Sequence, residues 1–174
     1  MAKRRDIKYL GRDFADKAAE VKAQINEALP KLVGGMHVDG FKESFDKQGF
    51  NDSGAAQWQD VKRRIPGSGW YGFQYGNTAK GKKNFSPSAT TRSILLGHGS
   101  VGLRESIFLK RASRGRIVIA SPLPYAKLHN EGGSMRIFGK TSGTMPKRQF
   151  MGNSKLLNKR AKLIITKRIN NIMK

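Results

Sequence analysis

The chain has 174 residues, a length that suits one domain. Its 34 Lys and Arg outnumber its 12 Asp and Glu, which gives a formal charge of +22, and it contains no Cys. The lack of Cys excludes a disulfide scaffold, thiol catalysis and thiolate metal sites. No apolar run approaches the roughly 20 residues of a membrane span, and no apolar signal core follows the basic start. We therefore expect a soluble protein of intracellular origin that does not enter a membrane.

Apolar residues at helical spacing predict two helices in the N-terminal part. The first runs from about Leu10 to Leu29 and is expected to end at Pro30, because proline lacks the N–H that an interior helical position needs. The second covers residues 33–47, and its Gly residues weaken its start. A turn at 48–54 then leads into a short helix around Trp58.

The sequence after residue 100 predicts short helices that alternate with hairpins, followed by a long last helix. A short helix at 101–107 precedes a hairpin over 108–120, and a further short helix at 125–131 precedes a second basic loop or hairpin at 134–149. The last helix is capped by Asn153 or Ser154. Its outer face is basic and consists of Lys155, Lys159, Arg160, Lys162, Lys167 and Arg168.

The charge is distributed unevenly along the chain. Residues 1–60 contain ten Lys or Arg and ten Asp or Glu, whereas residues 61–174 contain 24 cations and two acids, Glu105 and Glu131. Such asymmetry indicates a region built for an anionic partner, either nucleic acid or an acidic protein surface. The same shortage of carboxylates argues against paired-carboxylate hydrolysis and multi-carboxylate Mg²⁺ sites.

Residues 66–91 are predicted to form a long loop, rich in Gly, in which aromatic residues alternate with lysines. Single-strand binding uses this combination, yet the same rings could pack into a neighbouring subunit, and both interpretations stay open. The basic face of the last helix is equally suited to an acidic protein groove. The cations expected to contact DNA or an acidic partner are Arg63, Arg64, Lys80, Lys82, Lys83, Arg136, Lys140 and Lys147.

Several segments resemble enzyme motifs but lack a residue that the motif requires. Residues 97–102 fit G-x-G-x-x-G, but no acid follows at the distance that a dinucleotide site needs. Residues 76–83 resemble a P-loop whose final hydroxyl is replaced by Lys83. The three His have no metal-ligand spacing, and no Ser has a triad context. We expect no catalytic constellation, no metal site and no cofactor.

Ordered blocks along residues 10–174 resemble the phage virion morphogenesis (tail completion) family of tailed bacteriophages and prophages. The first block places Phe41, Phe45, Gln48 and Gly49 ahead of Trp58. Weaker matches at residues 94–107 and 117–119 come next. The most specific blocks are the last two. They read Tyr125-Ala126-x-x-His129-Asn130-x-Gly132-Gly133 and Met145-Pro146-x-Arg148-x-Phe150.

The resemblance implies a non-enzymatic structural protein of the virion neck, assembled in the host bacterial cytoplasm. Such proteins form rings, often hexameric, around the DNA channel, and they join portal or connector proteins to tail-tube or tail-terminator proteins. The implied fold is α+β. It consists of a small antiparallel sheet with N-terminal helices and a C-terminal helix packed on it, and of long loops for ring assembly. The chain would be one domain with a neutral helical part (1–60), a loop (66–91) and a basic part (92–174).

The resemblance also implies structural roles for motif residues. Tyr125 and His129 would hold the short helix to the sheet through packing and a backbone hydrogen bond, and Arg148 would pair with Glu131 or a neighbour's acid. The residues assigned such roles are Trp58, Tyr125, His129, Gly132, Gly133, Pro146, Arg148 and Phe150. Composition alone favours a different class, a nucleic-acid-binding protein of the ribosomal or nucleoid type.

Overall fold

The computed structural model describes residues 7–74, 84–95, 102–137 and 140–174. It confirms an α+β fold in which helices at both ends of the chain flank short antiparallel strands. The elements are α1 (Ile7–Ala23), a π-helical segment (Gln24–Ala28), α2 (Leu29–Asp46), β1 (Phe73–Gln74), β2 (Asn84–Phe85), α3 (Ser88–Thr91), β3 (Phe108–Ser113), β4 (Arg116–Ala120), α4 (Ala126–Glu131), β5 (Gly133–Ile137), β6 (Lys140–Met145) and α5 (Lys155–Met173).

The described strands form three separate antiparallel pairs, β1–β2, β3–β4 and β5–β6. Both predicted hairpins are present. In the β3–β4 hairpin the turn is made by Arg114 and Gly115 with positive φ values of 50° and 67°, which match the twist of the flanking strands. The register places Leu109 opposite Ile119, and β3 and β4 pack against α2. Within residues 66–91, predicted as a loop, the structure has β1, β2 and the single turn of α3.

The prediction that the first helix ends at Pro30 is wrong. The chain stays helical from Ile7 to Asp46, and the π-helical segment lies immediately before α2. Because Leu29 N–H bonds to Gln24 O in the wider π turn, and Pro30 has no N–H, two carbonyls in the helix lose their usual partners. The turn of the β3–β4 hairpin supplies new donors, Arg114 N–H to Asn26 O (2.8 Å) and Gly115 N–H to Ile25 O (3.0 Å).

The helix predicted around Trp58 is also absent. Gly49 and Gln57 form an isolated antiparallel bridge, and the backbone N–H of Trp58 donates to Gln48 O at 2.7 Å. This bond to a residue ten positions earlier uses the N–H that a local helix would need. Residues 103–106, part of the short helix predicted at 101–107, form turns instead, and position 101 lies outside the described residues.

The core lies where α2, α5 and the irregular segments around residues 58 and 150 meet. Phe45 is 1% exposed and packs edge-on against Trp58, with ring centroids 5.5 Å apart, and against Phe150 at 5.2 Å. Such aromatic contacts stabilise beyond the area that they bury. The other buried members of this cluster are Phe41, Ile94, Leu103, Ile107, Ala126 and Leu157.

The N-terminus of α5 is built on a buried polar cluster. Ser154 is the N-cap, as predicted, and its Oγ accepts Leu157 N–H at 3.2 Å while donating to Asn51 O at 2.8 Å. The carboxylate of Asp52 accepts Leu156 N–H at 3.0 Å, and this hydrogen bond is the main cause that lowers the pKa of Asp52 below its ordinary value. The cluster fixes the direction in which α5 leaves the core.

Substitution by Ala is expected to change stability in opposite directions at two glycines of α2. A Cβ on Gly40 would lie 2.5 Å from Cδ2 of the fully buried Leu157, whereas a Cβ on Gly35 would meet nothing within 4 Å. We expect Gly35→Ala to raise the free energy of unfolding by about 0.5–1 kcal/mol through helix propensity. Gly40→Ala should lower it by about 1–3 kcal/mol because the core there is overpacked. Urea unfolding of both variants checks this, and equal effects would contradict the packing of α5 on α2.

The amphipathic face predicted for the first helix is largely uncovered. Phe14 is 65% exposed and Ile25 is 41% exposed, and only Leu29 is buried among the apolar residues at helical spacing whose side chains are described. We name these residues the α1 stripe: Phe14, Ala18, Val21, Ile25 and Leu29. Lys17 and Asp13 form an ion pair of 3.6 Å on the same helix. An apolar stripe of this kind on a single chain is typical of a surface that meets another molecule.

Candidate functional site

The two most specific sequence blocks contact each other in the fold. Asn130 Oδ1 accepts the backbone N–H groups of Phe150 and Met151, each at 2.9 Å, and Arg148 N–H donates to His129 O at 2.8 Å. Helix α4 is thereby clamped to the segment that leads into α5. We name this unit, residues 125–133 together with 145–151, the motif cluster.

Arg148 extends the motif cluster to the segment that carries Trp58. Arg148 is 5% exposed, and its guanidinium donates to the backbone oxygens of Gln59 (3.1 Å) and Asp60 (3.4 Å). Trp58 Nε1–H donates to Gln149 O at 2.8 Å. Burial lowers the pKa of Arg148, and the charge of Asp60 partly offsets this effect. Arg148 therefore connects two distant parts of the chain through their carbonyls.

The pairing of Arg148 with Glu131 is a prediction that the structure contradicts. Glu131 is exposed at the end of α4 and pairs with Lys127 at 3.9 Å, one helical turn away. The guanidinium of Arg148 is directed to carbonyls because its segment packs beside residues 59–60, and sequence spacing does not reveal that neighbour.

Tyr125 and His129, expected to hold the short helix to the sheet, contact each other within one turn of α4. Their rings meet edge-on with centroids 5.8 Å apart, and His129 N–H donates to Tyr125 O at 3.1 Å. The ring atom Nδ1 is buried and has no hydrogen-bond partner among the described residues. Burial, and secondarily the charge of Arg148, lower the pKa of His129, which favours the neutral form of the ring. The ring therefore acts through packing.

Gly132 and Pro146 mark where the two blocks meet. Gly132 ends α4 with φ +75°, and the position of its missing Cβ is closed by the backbone of Lys147 and Met145. Gly133 follows with φ +126° and opens β5. Pro146 is half-buried and begins the return towards Phe150, which is fully buried.

Arg63, expected to contact phosphate, bonds mainly to the protein itself. Its guanidinium donates to Ala89 O (3.2 Å), Arg92 O (2.9 Å) and Ser93 O (2.8 Å). Burial first, and then the nearby charge of Arg92, lower its pKa. Arg63 thus ties its own segment to α3 and to the residues that follow α3. The neighbouring Arg64 forms an ion pair with Asp60 at 3.4 Å.

Beside Arg63 lies an open pocket of about 880 Å³ that carries more cations than carboxylates. It separates residues 59–65 from the end of β6, and the aromatic rings of Trp70 and Phe73 line another side. Its cations are Lys62, Arg63, Arg92 and Arg148, and its carboxylate is Asp60. Crowded guanidinium groups of this kind favour an anion as ligand.

Of the remaining predicted contact residues, only Lys147 has a described side chain, and it does not line that pocket. Lys147 is exposed on the segment beside it. Arg136 and Lys140 belong to β5 and β6, and only their backbone is described. The other three predicted cations, Lys80, Lys82 and Lys83, lie outside the described residues. So do the whole P-loop-like segment and all of the G-x-G-x-x-G segment except its last residue.

Four exposed cations that the sequence analysis did not single out stand on the β3–β4 hairpin. Residues 108–120 contain no carboxylate, and β3 carries one extra residue at the register shift between Leu109 and Arg111. The sequence signal for them is the presence of four cations within residues 110–116. The four are Lys110, Arg111, Arg114 and Arg116.

The basic face predicted for the last helix is present on α5. Its six cations are exposed and the helix contains no acid, while Arg160 pairs with Glu43 at 3.9 Å. Leu157 and Ala161 are buried, and Arg168, seven residues after Ala161, lies on their side of the helix. The charged residues of the β3–β4 hairpin and of α5 are therefore all cations, and both elements pack against α2.

Comparison of the chain with family models, with curated proteins and with solved structures found no match in any of the three. Within the described residues, no three His, Asp or Glu side chains are grouped so that they could hold a metal ion. None of the described helices is both long and apolar enough to cross a membrane.

Proposed function

We propose that this chain is a structural subunit of a tailed-phage virion that completes the tail or joins it to the head. The observation that carries the proposal is the motif cluster. The two blocks on which the resemblance rests are separated in the sequence by residues 134–144, and they interlock through Asn130, Arg148 and Gly132. Their residues bond to backbone groups and fill the core, which is the arrangement expected of a scaffold rather than of a catalytic centre.

The uncovered surfaces support an assembly role. The α1 stripe exposes aromatic and aliphatic side chains, and the hairpin and α5 expose cations without acids. In the proposed function copies of the chain form a ring, six in number, around the DNA channel. Such a ring multiplies the +22 of one chain sixfold, so DNA in the channel or acidic faces of portal, connector, tail-tube or tail-terminator proteins must compensate it.

In this proposal the protein is not an enzyme, binds no cofactor and resides in the neck or tail of the virion. The second candidate is a nucleic-acid-binding protein of the ribosomal or nucleoid type. It is favoured by the cations of the hairpin and α5, since Lys and Arg alone are sufficient for sequence-independent phosphate contact.

The mass of the purified chain in solution and its affinity for DNA distinguish the two candidates. The neck proposal expects a ring, formed alone or on addition of tail proteins, and modest DNA binding. A monomer that binds DNA tightly, whose affinity falls steeply with salt as several phosphate contacts require, and that ignores virion proteins would favour the second candidate.

A further inference from the structure

An apolar groove runs between α5 and the β3–β4 hairpin, and its floor is made by the π-helical segment and α2. Its first part, which is mainly apolar, has a volume of about 420 Å³, and a second part of about 410 Å³, lined by polar as well as apolar residues, shares His37 and Ile117 with it. Ile25, Leu29 and Val33 lie along the floor, and Ile117 lines the hairpin side. The α5 side is formed by Asn158, Ala161, Ile165 and Ile169.

The groove has the length of a short helix. Asn158 and Ile169, at the two ends of its α5 side, are separated by about 16 Å at 1.5 Å per residue. A guest helix of about three turns would fit this span and could place apolar side chains at i, i+3, i+4 and i+7 into the groove.

The edges of the groove are cationic. Lys162 lies four residues after Asn158 and therefore next to it on the outer side of α5. Arg168 reaches across to the floor, where its Nε–H donates to Gln24 Oε1 at 3.3 Å, and Arg114 is exposed at the turn of the hairpin. The carboxylates of residues 24–41, Glu27 and Asp39, are exposed and do not line either part of the groove.

Charge complementarity decides between the occupants. DNA offers phosphates but no apolar face for isoleucine and leucine side chains. A second copy of this chain brings another +22, and its exposed helix α1 contains four cations and three acids, so it cannot neutralise the edges. An amphipathic helix with carboxylates beside its apolar face satisfies both the apolar lining and the cationic edges.

We propose that this groove binds a short acidic amphipathic helix of a partner protein. The inference refines the partner chemistry of the proposed function, but it is tested with a synthetic peptide. Failure of the peptide test therefore leaves the neck assignment standing, and absence from the virion leaves the groove's affinity for the peptide unchanged.

The test uses the full chain and a fluorescein-labelled peptide of about 14 residues, with Leu at the groove-facing positions and Glu at the others. The control peptide has the same composition in an order without an apolar face. Fluorescence anisotropy should give an affinity for the amphipathic peptide at least about tenfold higher than for the control.

Three variants locate the binding surface. Ile165→Asp places a carboxylate in the groove and should lower the affinity about tenfold or more, and the exposed Lys162→Glu should lower it several-fold. Lys167→Glu changes the net charge equally but lies on the opposite side of α5, and it should leave the affinity within about twofold. Circular dichroism verifies that each variant is folded.

Four results would overturn the proposal. They are equal binding of the two peptides, equal losses in Lys162→Glu and Lys167→Glu, unchanged binding in a folded Lys162→Glu variant, and self-association of the chain that Ile165→Asp abolishes. Equal binding of the two peptides, or equal losses in the two lysine variants, would mean that overall charge attraction accounts for the binding. Unchanged binding in Lys162→Glu would mean that the cationic edge does not contribute. Self-association abolished by Ile165→Asp would mean that a second copy of the chain occupies the groove.

Discussion

Phe150→Ala is expected to lower the free energy of unfolding by about 3–5 kcal/mol, the cost of removing a buried aromatic ring from a packed core. Phe150 has no exposed surface and contacts Phe45, which in turn contacts Trp58. A loss of this size is a large share of the roughly 5–15 kcal/mol that stabilises a domain. Chemical denaturation followed by tryptophan fluorescence measures it.

Phe108→Ala is the matched control for this prediction. Phe108 is 44% exposed at the start of β3, so the same truncation there should cost less than about 1 kcal/mol. If the two variants lost similar stability, the core would not be centred on the motif cluster.

The second large effect is expected at Gly132. Its φ of +75° is unfavourable for any residue with a Cβ, and a Cβ there would lie 2.8 Å from Lys147 N and 3.0 Å from Met145 O. These are backbone atoms, which cannot move aside as a flexible side chain can. Strain of about 1–3 kcal/mol is therefore added to a steric clash of comparable size, and Gly132→Ala should lower the free energy of unfolding by about 2–5 kcal/mol.

Gly133→Ala separates the two contributions. Gly133 also has positive φ, but the nearest atom to its missing Cβ is Leu128 Cδ1 at 4.0 Å. It should suffer only the backbone strain, at most about 3 kcal/mol. Thermal and urea unfolding of both variants give the comparison, and a larger loss in Gly133→Ala would contradict the close approach of the two blocks at Gly132.

Elements whose signals are local could be predicted from the sequence. The β3–β4 hairpin follows from two β-rich runs joined through Ser113, Arg114 and Gly115, and the start of α5 follows from the capping hydroxyl of Ser154. The hairpin turn and the helix cap each depend on residues that are neighbours in the sequence.

The errors arose where a distant segment supplies the partner. Pro30 stays inside a continuous helix because Arg114 and Gly115, more than 80 residues later, bond to the carbonyls that the π turn frees. Trp58 is extended because its N–H finds Gln48 O. No local window contains either partner, so helix-stop and helix-propensity rules gave the wrong boundary.

The candidate site was also predictable only where its signals are local in the sequence. The basic character of α5 is readable from its spacing, whereas the use of Arg63 and Arg148 to bind backbone carbonyls depends on which segments lie beside them. The apolar groove is invisible in the sequence because Ile25, Ile117 and Ile165 come from three elements. The helical spacing of the apolar residues in the first helix predicts an apolar face but not what covers it, so the exposure of Phe14 and Ile25 could not be predicted from the sequence.

The location of the chain in a virion tests the central claim most directly. Immunogold labelling, or electron microscopy of particles that carry a tagged copy, shows whether the chain is in the head, the neck or the tail, or is absent. The account predicts label at the head–tail junction, in several copies per particle. A chain absent from virions and bound to ribosomes or bulk DNA in the same lysate would contradict it.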